Sequence, residues 1–221
     1  GDGRVSVIRL DGSEFHDVFR DTHWLSHFQF SPDNPDIAMF CHEGPWNYVQ
    51  QRIWMINMNT GDIWPCFRQT EDDCVGHEFW AQNGDVIFDN RRGGHDGTIS
   101  NSKSQVYASE HVSAEIPYFG FAHKDGKVYR KINMPFYCNH YFANGDLSMF
   151  AGDAVDDILL IQPAEDGTAK MKILAHHNTT WHYQRSHCHP TFSWDGKKLL
   201  YAADTDEWHD NLFLVDVPES I

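Results

Sequence analysis

The chain has 221 residues, of which 41% are hydrophobic and 14% aromatic, and it carries 17 Lys and Arg against 32 Asp and Glu. A chain of this length and apolar content can bury a core without disulfide or metal staples, and no apolar run reaches the roughly eighteen residues of a membrane-spanning helix. The formal net charge of −15 excludes a general attraction to nucleic acid or anionic lipid, so an anionic ligand needs a local cationic site.

The five cysteines predict reduced thiols. Their number is odd, they are widely spaced, and no C-x-x-C pair occurs. Disulfide frameworks and zinc knuckles instead use even numbers of cysteines at short, regular spacings. The first residues also lack the pattern of a signal peptide, so we expect a cytoplasmic location.

The first predicted elements are two strands without inner partners. They cover residues 5–9 and 14–19, and they match the outer two strands of a four-stranded unit. We therefore expect residues 1–20 to be the outer part of one blade. The chain is then expected to be the C-terminal part of a longer protein.

A unit that repeats four times follows. Each copy starts with a His and an aromatic-rich strand, passes through a turn containing Asn, Asp or Gly, and enters a second apolar strand. The starting histidines are separated by 50, 63 and 49 residues, and they are His27, His77, His140 and His189. The turns at 33–34, 83–84, 144–145 and 195–196 have hairpin composition, so each copy is predicted to begin with an antiparallel hairpin.

Further strands complete the repeats. They are predicted at 52–57 and 63–67, at 118–122 and 127–132, at 158–161 and 169–174, and at 212–215, where the last copy is one strand short. Four strands per repeat indicate an all-β fold, a β-propeller with about four blades, in one domain. The predicted blades are 21–70, 71–133, 134–176 and 177–221. Unrelated hairpins in a sandwich are the alternative.

The repeated histidine predicts a site. The first strand of each propeller blade lines the central channel, so a His at the same position in four blades places four imidazoles near one mouth of that channel. A functional site is therefore expected there.

The densest group of chemically active side chains lies at 184–189. His187 and His189 are two residues apart on a predicted strand and point to one face, which is a spacing suited to metal ligands. Neutral imidazoles suit Mn, Fe, Ni, Cu or Zn, and the carbonyl oxygen of Gln184 suits the harder ions. With His140 from the preceding copy, these residues predict a divalent metal site. Arg185, in the same group, is a candidate for substrate binding.

Three other residues are candidates with open roles. His77 could be a fourth ligand, a structural residue or a proton acceptor. Arg52 could bind a carboxylate, although an Arg that opens an outer strand is commonly a solvated surface residue. Arg91 and Arg92 are expected in a flexible basic loop suited to anionic substrate groups, with a solvated loop as the alternative.

The remaining histidines share no position in the repeat. Most of these histidines are expected at the surface. The full set is His16, His23, His95, His111, His123, His176, His177, His182 and His209. The segment Cys41-His42-Glu43-Gly44-Pro45 combines three side chains that could bind metal, but a rigid turn explains its Gly-Pro equally well.

Four segments resemble the oligogalacturonate lyases, a family of seven-bladed propellers that act on pectin oligomers. The most specific is Gln-x-x-His-x-His-Pro at 184–190, and it is supported by an Arg and a His that are 25 residues apart, Arg52 and His77. The other segments are Cys41 to Pro45, Gln51-Arg52-Ile53-Trp54 and His77-Glu78-Phe79-Trp80. The likeness extends from about residue 21 to the end of the chain.

The resemblance implies a metal-dependent lyase. Gln184, His187, His189 and His140 would hold a divalent ion of the manganese type, with Mn²⁺ expected. His77 would be the catalytic base, and Arg52 would assist. The reaction implied is β-elimination in short oligogalacturonates, which leaves an unsaturated uronate end. It also implies about four of seven blades here, with the missing N-terminal blades supplied by a longer chain or another polypeptide.

Two other functions remain as alternatives. One is a lyase for another uronate-containing oligosaccharide, and the other is a non-catalytic propeller that binds a partner or a sugar and keeps its histidines for structural reasons. For a lyase of either substrate class, the expected partner is an acidic oligosaccharide. Neither nucleic acid nor a membrane is expected as a partner.

Overall fold

The described part of this computed structural model comprises residues 1–45, 48–92, 117–134, 138–181, 186–206 and 209–221. Within these residues there are seventeen β-strands and no helix, and therefore no helix that could cross a membrane. The predicted all-β propeller arrangement is confirmed.

The strands form five antiparallel sheets in chain order. The N-terminal sheet pairs β1 (Gly3–Ile8) with β2 (Phe15–Asp21). Blade A contains β3 (Trp24–Phe30), β4 (Ile37–Glu43), β5 (Ile53–Asn57) and β6 (Ile63–Pro65). Blade B contains β7 (Asp73–Trp80), β8 (Val86–Arg92), β9 (Tyr118–Ala122) and β10 (Val128–Asn133).

Two further sheets complete the described chain. Blade C contains β11 (Tyr141–Ala143), β12 (Phe150–Asp153), β13 (Asp157–Pro163) and β14 (Ala169–His176). Blade D contains β15 (Thr191–Phe192), β16 (Lys198–Asp206) and β17 (His209–Asp216), so its predicted three strands are observed. Each sheet follows the strand order of the sequence, as expected for sheets built from consecutive hairpins.

The core lies between neighbouring blades. Met39 and Ile53 of blade A pack with Phe88 of blade B, and all three are essentially inaccessible to solvent. Phe119 of blade B packs on Phe150 of blade C with ring centroids 4.7 Å apart. Burying one such side chain contributes about 1.5–3 kcal/mol, so these contacts hold neighbouring blades face to face.

Bulges reshape the inner strands at the repeated histidines. The register shifts between Ser26 and Gln29 in β3 and between Gly76 and Phe79 in β7. His27 and His77 lie inside these bulges with φ values of 51° and 47°. A non-glycine residue pays about 1–2 kcal/mol for this left-handed conformation. Such bulges commonly redirect a side chain at a functional site.

Several strand boundaries differ from the sequence prediction, and two of these differences have a clear local cause. β12 begins at Phe150 rather than 147, because the turn before it extends through Leu147, which has a φ of 60°. β8 continues to Arg92 instead of ending at residue 88, because its last residues pair with β7 from Asp73 onward.

Candidate active site

One groove at the edge of blades A to D collects the repeated histidines. His27, His77, His140 and His189 all line this groove, which has a volume of about 190 Å³. The predicted convergence of four imidazoles is therefore confirmed. The groove also exposes parts of Phe79 and Phe142, so it combines imidazole nitrogens with aromatic surface.

Three of the predicted metal ligands converge. One nitrogen from each of His140, His187 and His189 lies within 4.8 Å of the others. The ring centroids of His140 and His189 are 3.7 Å apart, and those of His140 and His187 are 5.3 Å apart. Gln184 and Arg185, the other predicted members of this cluster, lie outside the described residues.

A buried carboxylate orients the central imidazole. Asp153 is fully buried, and its Oδ2 lies 2.7 Å from His140 Nδ1 while its Oδ1 accepts the His140 backbone N–H at 2.5 Å. The backbone N–H of His189 also donates to Asp153, at 3.3 Å. With Nδ1–H bonded to a carboxylate, the lone pair of His140 is on Nε2, as in many metal-binding histidines.

The three imidazoles fit a divalent metal ion. Burial, together with the neighbouring His140, lowers the pKa of His189 to about 4, so this ring is neutral at neutral pH. Metal binding requires the neutral imidazole. Three imidazoles backed by a carboxylate form a donor set typical of first-row transition metals.

His77 lies beside the metal cluster. Its ring centroid is 4.4 Å from that of His140. Burial, followed by the nearby His140, Arg91 and Arg52, moves its pKa well below the usual value, so the ring is neutral at neutral pH. A neutral imidazole is the form that accepts a proton.

Two groups compete for Nδ1 of His77. Asp89 Oδ1 lies 3.0 Å from this nitrogen, and Arg91 Nη2 lies 2.6 Å from it. Donation from Nδ1–H to Asp89 leaves the lone pair on Nε2, whereas donation from Arg91 requires the proton to be on Nε2. Only the first tautomer can act as a base at Nε2.

Arg52 is held between two carboxylates. Its Nε donates to Glu78 Oε2 at 2.9 Å and its Nη1 donates to Glu43 Oε1 at 3.1 Å, while His27 Nδ1 lies 3.0 Å from the other oxygen of Glu78. The Arg52 side chain is only 4% exposed. Arg52 is therefore not the solvated surface residue of the alternative interpretation, and its charge is largely matched by Glu43 and Glu78.

The basic-loop prediction is wrong for the backbone of Arg91 and Arg92. Both residues belong to β8, and Arg91 is 1% exposed, with its Nε donating to Asp89 Oδ2 at 2.8 Å. Pairing with β7 continues through these residues and carries Arg91 into the interior beside His77. The predicted substrate contact of the Arg92 side chain lies outside the described part of the chain.

The surface prediction is wrong for His177. This residue is 5% exposed, and its ring nitrogen Nε2 lies 3.1 Å from the carbonyl oxygen of Ala154. A ring contact with Trp181 further encloses it. His177 lies in the connection between blades C and D, where its backbone N–H also donates to the carbonyl oxygen of Asp156.

Sequence reasoning missed the aspartates that contact the rings of His77 and His140. Asp89 follows His77 by 12 residues and Asp153 follows His140 by 13, and each lies in the second strand of its blade. Because paired strands bring such positions side by side, an acid at this distance after a repeated His was the available signal. It occurs in two of the four copies.

Comparison with known proteins gives a consistent result. A profile described as oligogalacturonate lyase matches residues 3–221. The chain is 26% identical to an oligogalacturonide lyase of Pectobacterium atrosepticum, with 97% of this chain aligned, and 25% identical to an oligogalacturonate lyase of Dickeya dadantii, with 99% aligned. The alignment covers 56% of each relative, so the chain spans about half their length.

Solved structures show the same fold. An oligogalacturonate lyase in complex with manganese superimposes with a TM-score of 0.76 at 23% identity, covering 98% of this chain and 54% of that one. An oligogalacturonate lyase from Vibrio parahaemolyticus gives a TM-score of 0.77 at 22% identity, covering 98% of this chain and 55% of that one.

Proposed function

Because the chain belongs to the oligogalacturonate lyase family, we propose that it carries the catalytic groove of a metal-dependent lyase that cleaves short oligogalacturonates by β-elimination. The observation that carries this proposal is the convergence of His140, His187 and His189 beside the neutral His77 in one groove. Because the chain spans about half the length of its relatives, the remainder of the ring is proposed to come from a longer chain or another polypeptide.

The metal is proposed to be Mn²⁺, held by His140, His187, His189 and Gln184. The relative whose structure contains manganese supports this choice. A bound divalent ion would supply positive charge near the C6 carboxylate of the uronate, where negative charge develops during elimination.

His77 is proposed to take the proton. Removal of the C5 proton by Nε2 sends the C5–H electrons into a C4=C5 double bond, and the C4–O4 bond breaks with its electrons on O4. This role requires the tautomer in which Nδ1–H donates to Asp89. Because the pKa of His77 lies well below its ordinary value, mainly through burial, the ring is in the neutral form at neutral pH, which is the form that a general base needs.

Arg52 is proposed to assist through its charge and its position. It neutralises Glu78, the residue next to the base, and its positive charge is one of the causes of the lowered pKa of His77. Arg91 is proposed to act in the same region by fixing Asp89. Substrate contacts by Arg92 and Arg185 remain predictions.

The first test is an absorbance assay on the purified protein. Di- and trigalacturonate are mixed with the protein, with and without a chelator and added Mn²⁺, and the ultraviolet band of the unsaturated uronate is followed. A rise that the chelator abolishes and Mn²⁺ restores is expected. A metal-loaded protein with a complete ring that gives no rise would contradict the oligogalacturonate substrate. Other uronate oligosaccharides, and then a binding module, would be considered next.

The variant His77→Ala separates an enzyme from a binding module. We expect turnover to fall by roughly 10²–10⁴-fold while the metal content is unchanged, because His77 acts as base and not as ligand. The matched control is His176→Ala, which removes an exposed imidazole on β14 that contacts Asp157. Loss of metal in His77→Ala would show that His77 is a ligand and would refute its assignment as the base.

A further inference from the structure

The proposed lyase does not use His42, the histidine of the segment from Cys41 to Pro45. His42 lies on β4 and is 7% exposed. Its Nε2 is inaccessible to solvent and has no hydrogen-bond partner among the described residues. A buried polar atom left without a partner costs about 1–3 kcal/mol, so an orphaned ring nitrogen requires an explanation.

An aspartate and a second histidine face this nitrogen. Asp21 Oδ2 lies 3.3 Å from His42 Nε2, without the alignment of a hydrogen bond. The other oxygen of Asp21 lies 2.8 Å from His23 Nδ1. One ligand atom from each of these three residues lies within 4.8 Å of the others.

The separation of His42 and Asp21 suits two ligands of one ion. Ligands at about 2.0–2.2 Å from a tetrahedral Zn²⁺ ion lie about 3.3 Å apart, and they face the ion rather than each other.

His23 can complete the set by turning its ring. At present this ring stacks on that of His42, with centroids 4.1 Å apart and planes at 6° to each other, so the two rings do not point at a common position. The His23 side chain is 59% exposed, which leaves room for rotation about its side-chain bonds. Two imidazoles and one carboxylate form a donor set that suits Zn²⁺ and its neighbours.

We propose that Asp21, His23 and His42 form a second transition-metal site, separate from the catalytic groove, that binds Zn²⁺ or a similar borderline ion. Asp21 is the last residue of β2, whereas His42 belongs to β4. A bound ion would therefore join the N-terminal sheet to blade A. The ion would have a structural role, because it would hold β2 against β4. The proposal does not depend on the lyase activity.

Metal counting on the purified protein tests the site. The bound Zn²⁺ is measured by titration calorimetry and by elemental analysis after dialysis, for the unchanged protein and for Asp21→Asn and His23→Ala. Each variant is expected to bind one equivalent fewer, and the rise in thermal midpoint caused by Zn²⁺ is expected to shrink in both. Both variants change residues near the surface and avoid the buried His42.

Two controls make the result decisive. His209→Ala removes another exposed histidine that lies 2.8 Å from an aspartate, and we expect it to keep every equivalent. His187→Ala is expected to lose the ion of the catalytic groove but to retain the ion bound by Asp21, His23 and His42. The proposal is overturned if Asp21→Asn or His23→Ala keeps all equivalents, or if His187→Ala loses all bound Zn²⁺.

Discussion

Four histidines occupy equivalent positions in successive repeats, yet the carboxylates around them differ. His27 contacts Glu78, and this hydrogen bond raises its pKa. His77 contacts Asp89, but burial is the largest influence on its pKa and lowers it, so the ring is neutral. His140 contacts Asp153, which directs its other nitrogen toward the metal cluster. At the scale of single residues, the neighbouring acid and the degree of burial therefore determine what each imidazole can do.

Asp153 provides a test of this view. Replacing Asp153 by Asn keeps the shape but removes the carboxylate that accepts from His140 Nδ1. We expect the affinity for Mn²⁺ to fall by roughly 10–100-fold, as is typical for loss of a carboxylate behind a metal-binding histidine. Calorimetric titration with Mn²⁺ measures the change. The control is Asp195→Asn at an exposed turn, and equal affinities in both variants would contradict the assigned role.

At the scale of secondary-structure elements, bulges in the strands rather than regular strand geometry place the groove residues His27 and His77. The bulges in β3 and β7 put His27 and His77 at the groove. Glu43 of β4, Glu78 of β7 and Arg52, which immediately precedes β5, meet in one ion cluster. Breaking such a buried pair commonly costs several kcal/mol because a buried charge remains without its partner. The cluster therefore links the stability of the two blades to the position of the base.

Glu78 is expected to make the protein sensitive to acid. Burial alone would raise its pKa, but Arg52 and His27 outweigh burial and hold the pKa at about 2, compared with 4.5 for an ordinary Glu. Because the folded-state pKa is lowered, this stabilisation is present above about pH 4.5 and is lost as the pH falls toward 2. It is on the order of 3 kcal/mol.

Denaturation at several pH values tests the role of Glu78. Urea unfolding between pH 5 and 3 should show a shallower loss of stability in Glu78→Gln than in the unchanged protein, from a lower starting value at pH 5. Asp195→Asn, at an exposed turn, should retain the original slope. Identical slopes for Glu78→Gln and the unchanged protein would argue against the lowered pKa.

A pair of glycines tests how closely neighbouring blades approach. Gly126 and Gly12 have φ values of 82° and 73°, but an added Cβ at Gly126 would overlap the carbonyl of Pro65 in blade A, whereas Gly12 has no such neighbour within 4 Å. We expect Gly12→Ala to cost about 1–2 kcal/mol through backbone strain alone. Gly126→Ala should cost a further 1–3 kcal/mol, roughly, through the overlap. Thermal or urea unfolding measures both, and equal losses would contradict close packing of the two blades.

At the scale of the whole molecule, the two ends of the described chain differ from its middle. Blades A, B and C each have four strands, while the N-terminal sheet has two and blade D has three. Large apolar side chains are exposed on β17, where Leu212 is 72% and Leu214 61% exposed. Such a strand edge is a natural place for pairing with a further strand.

Hydrogen exchange can show whether β17 has a further partner. In the described residues β17 pairs only with β16, so its backbone amides should exchange faster than those of β13, which is paired on both sides and largely buried. Mass-spectrometric exchange on the purified protein measures both strands. Equally slow exchange in β17 would show that a strand from outside the described residues covers it.

The sequence by itself determined the architecture and the histidines of the site. The repeat period and the turn residues predicted the strands, because hairpin turns and alternating apolar positions are local properties of the chain. The position of His within the repeat predicted its place at the groove, and H-x-H spacing predicted that His187 and His189 would lie together, because equivalent positions in stacked repeats have equivalent surroundings.

Only the tertiary structure decided which acids and cations surround those histidines. Arg52 meets Glu78 across 26 residues, and Asp21 approaches His42 from another sheet. Arg91 became a buried residue because β8 continued past its predicted end. Such contacts depend on register, bulges and the packing of one sheet on the next, and local sequence patterns do not specify them.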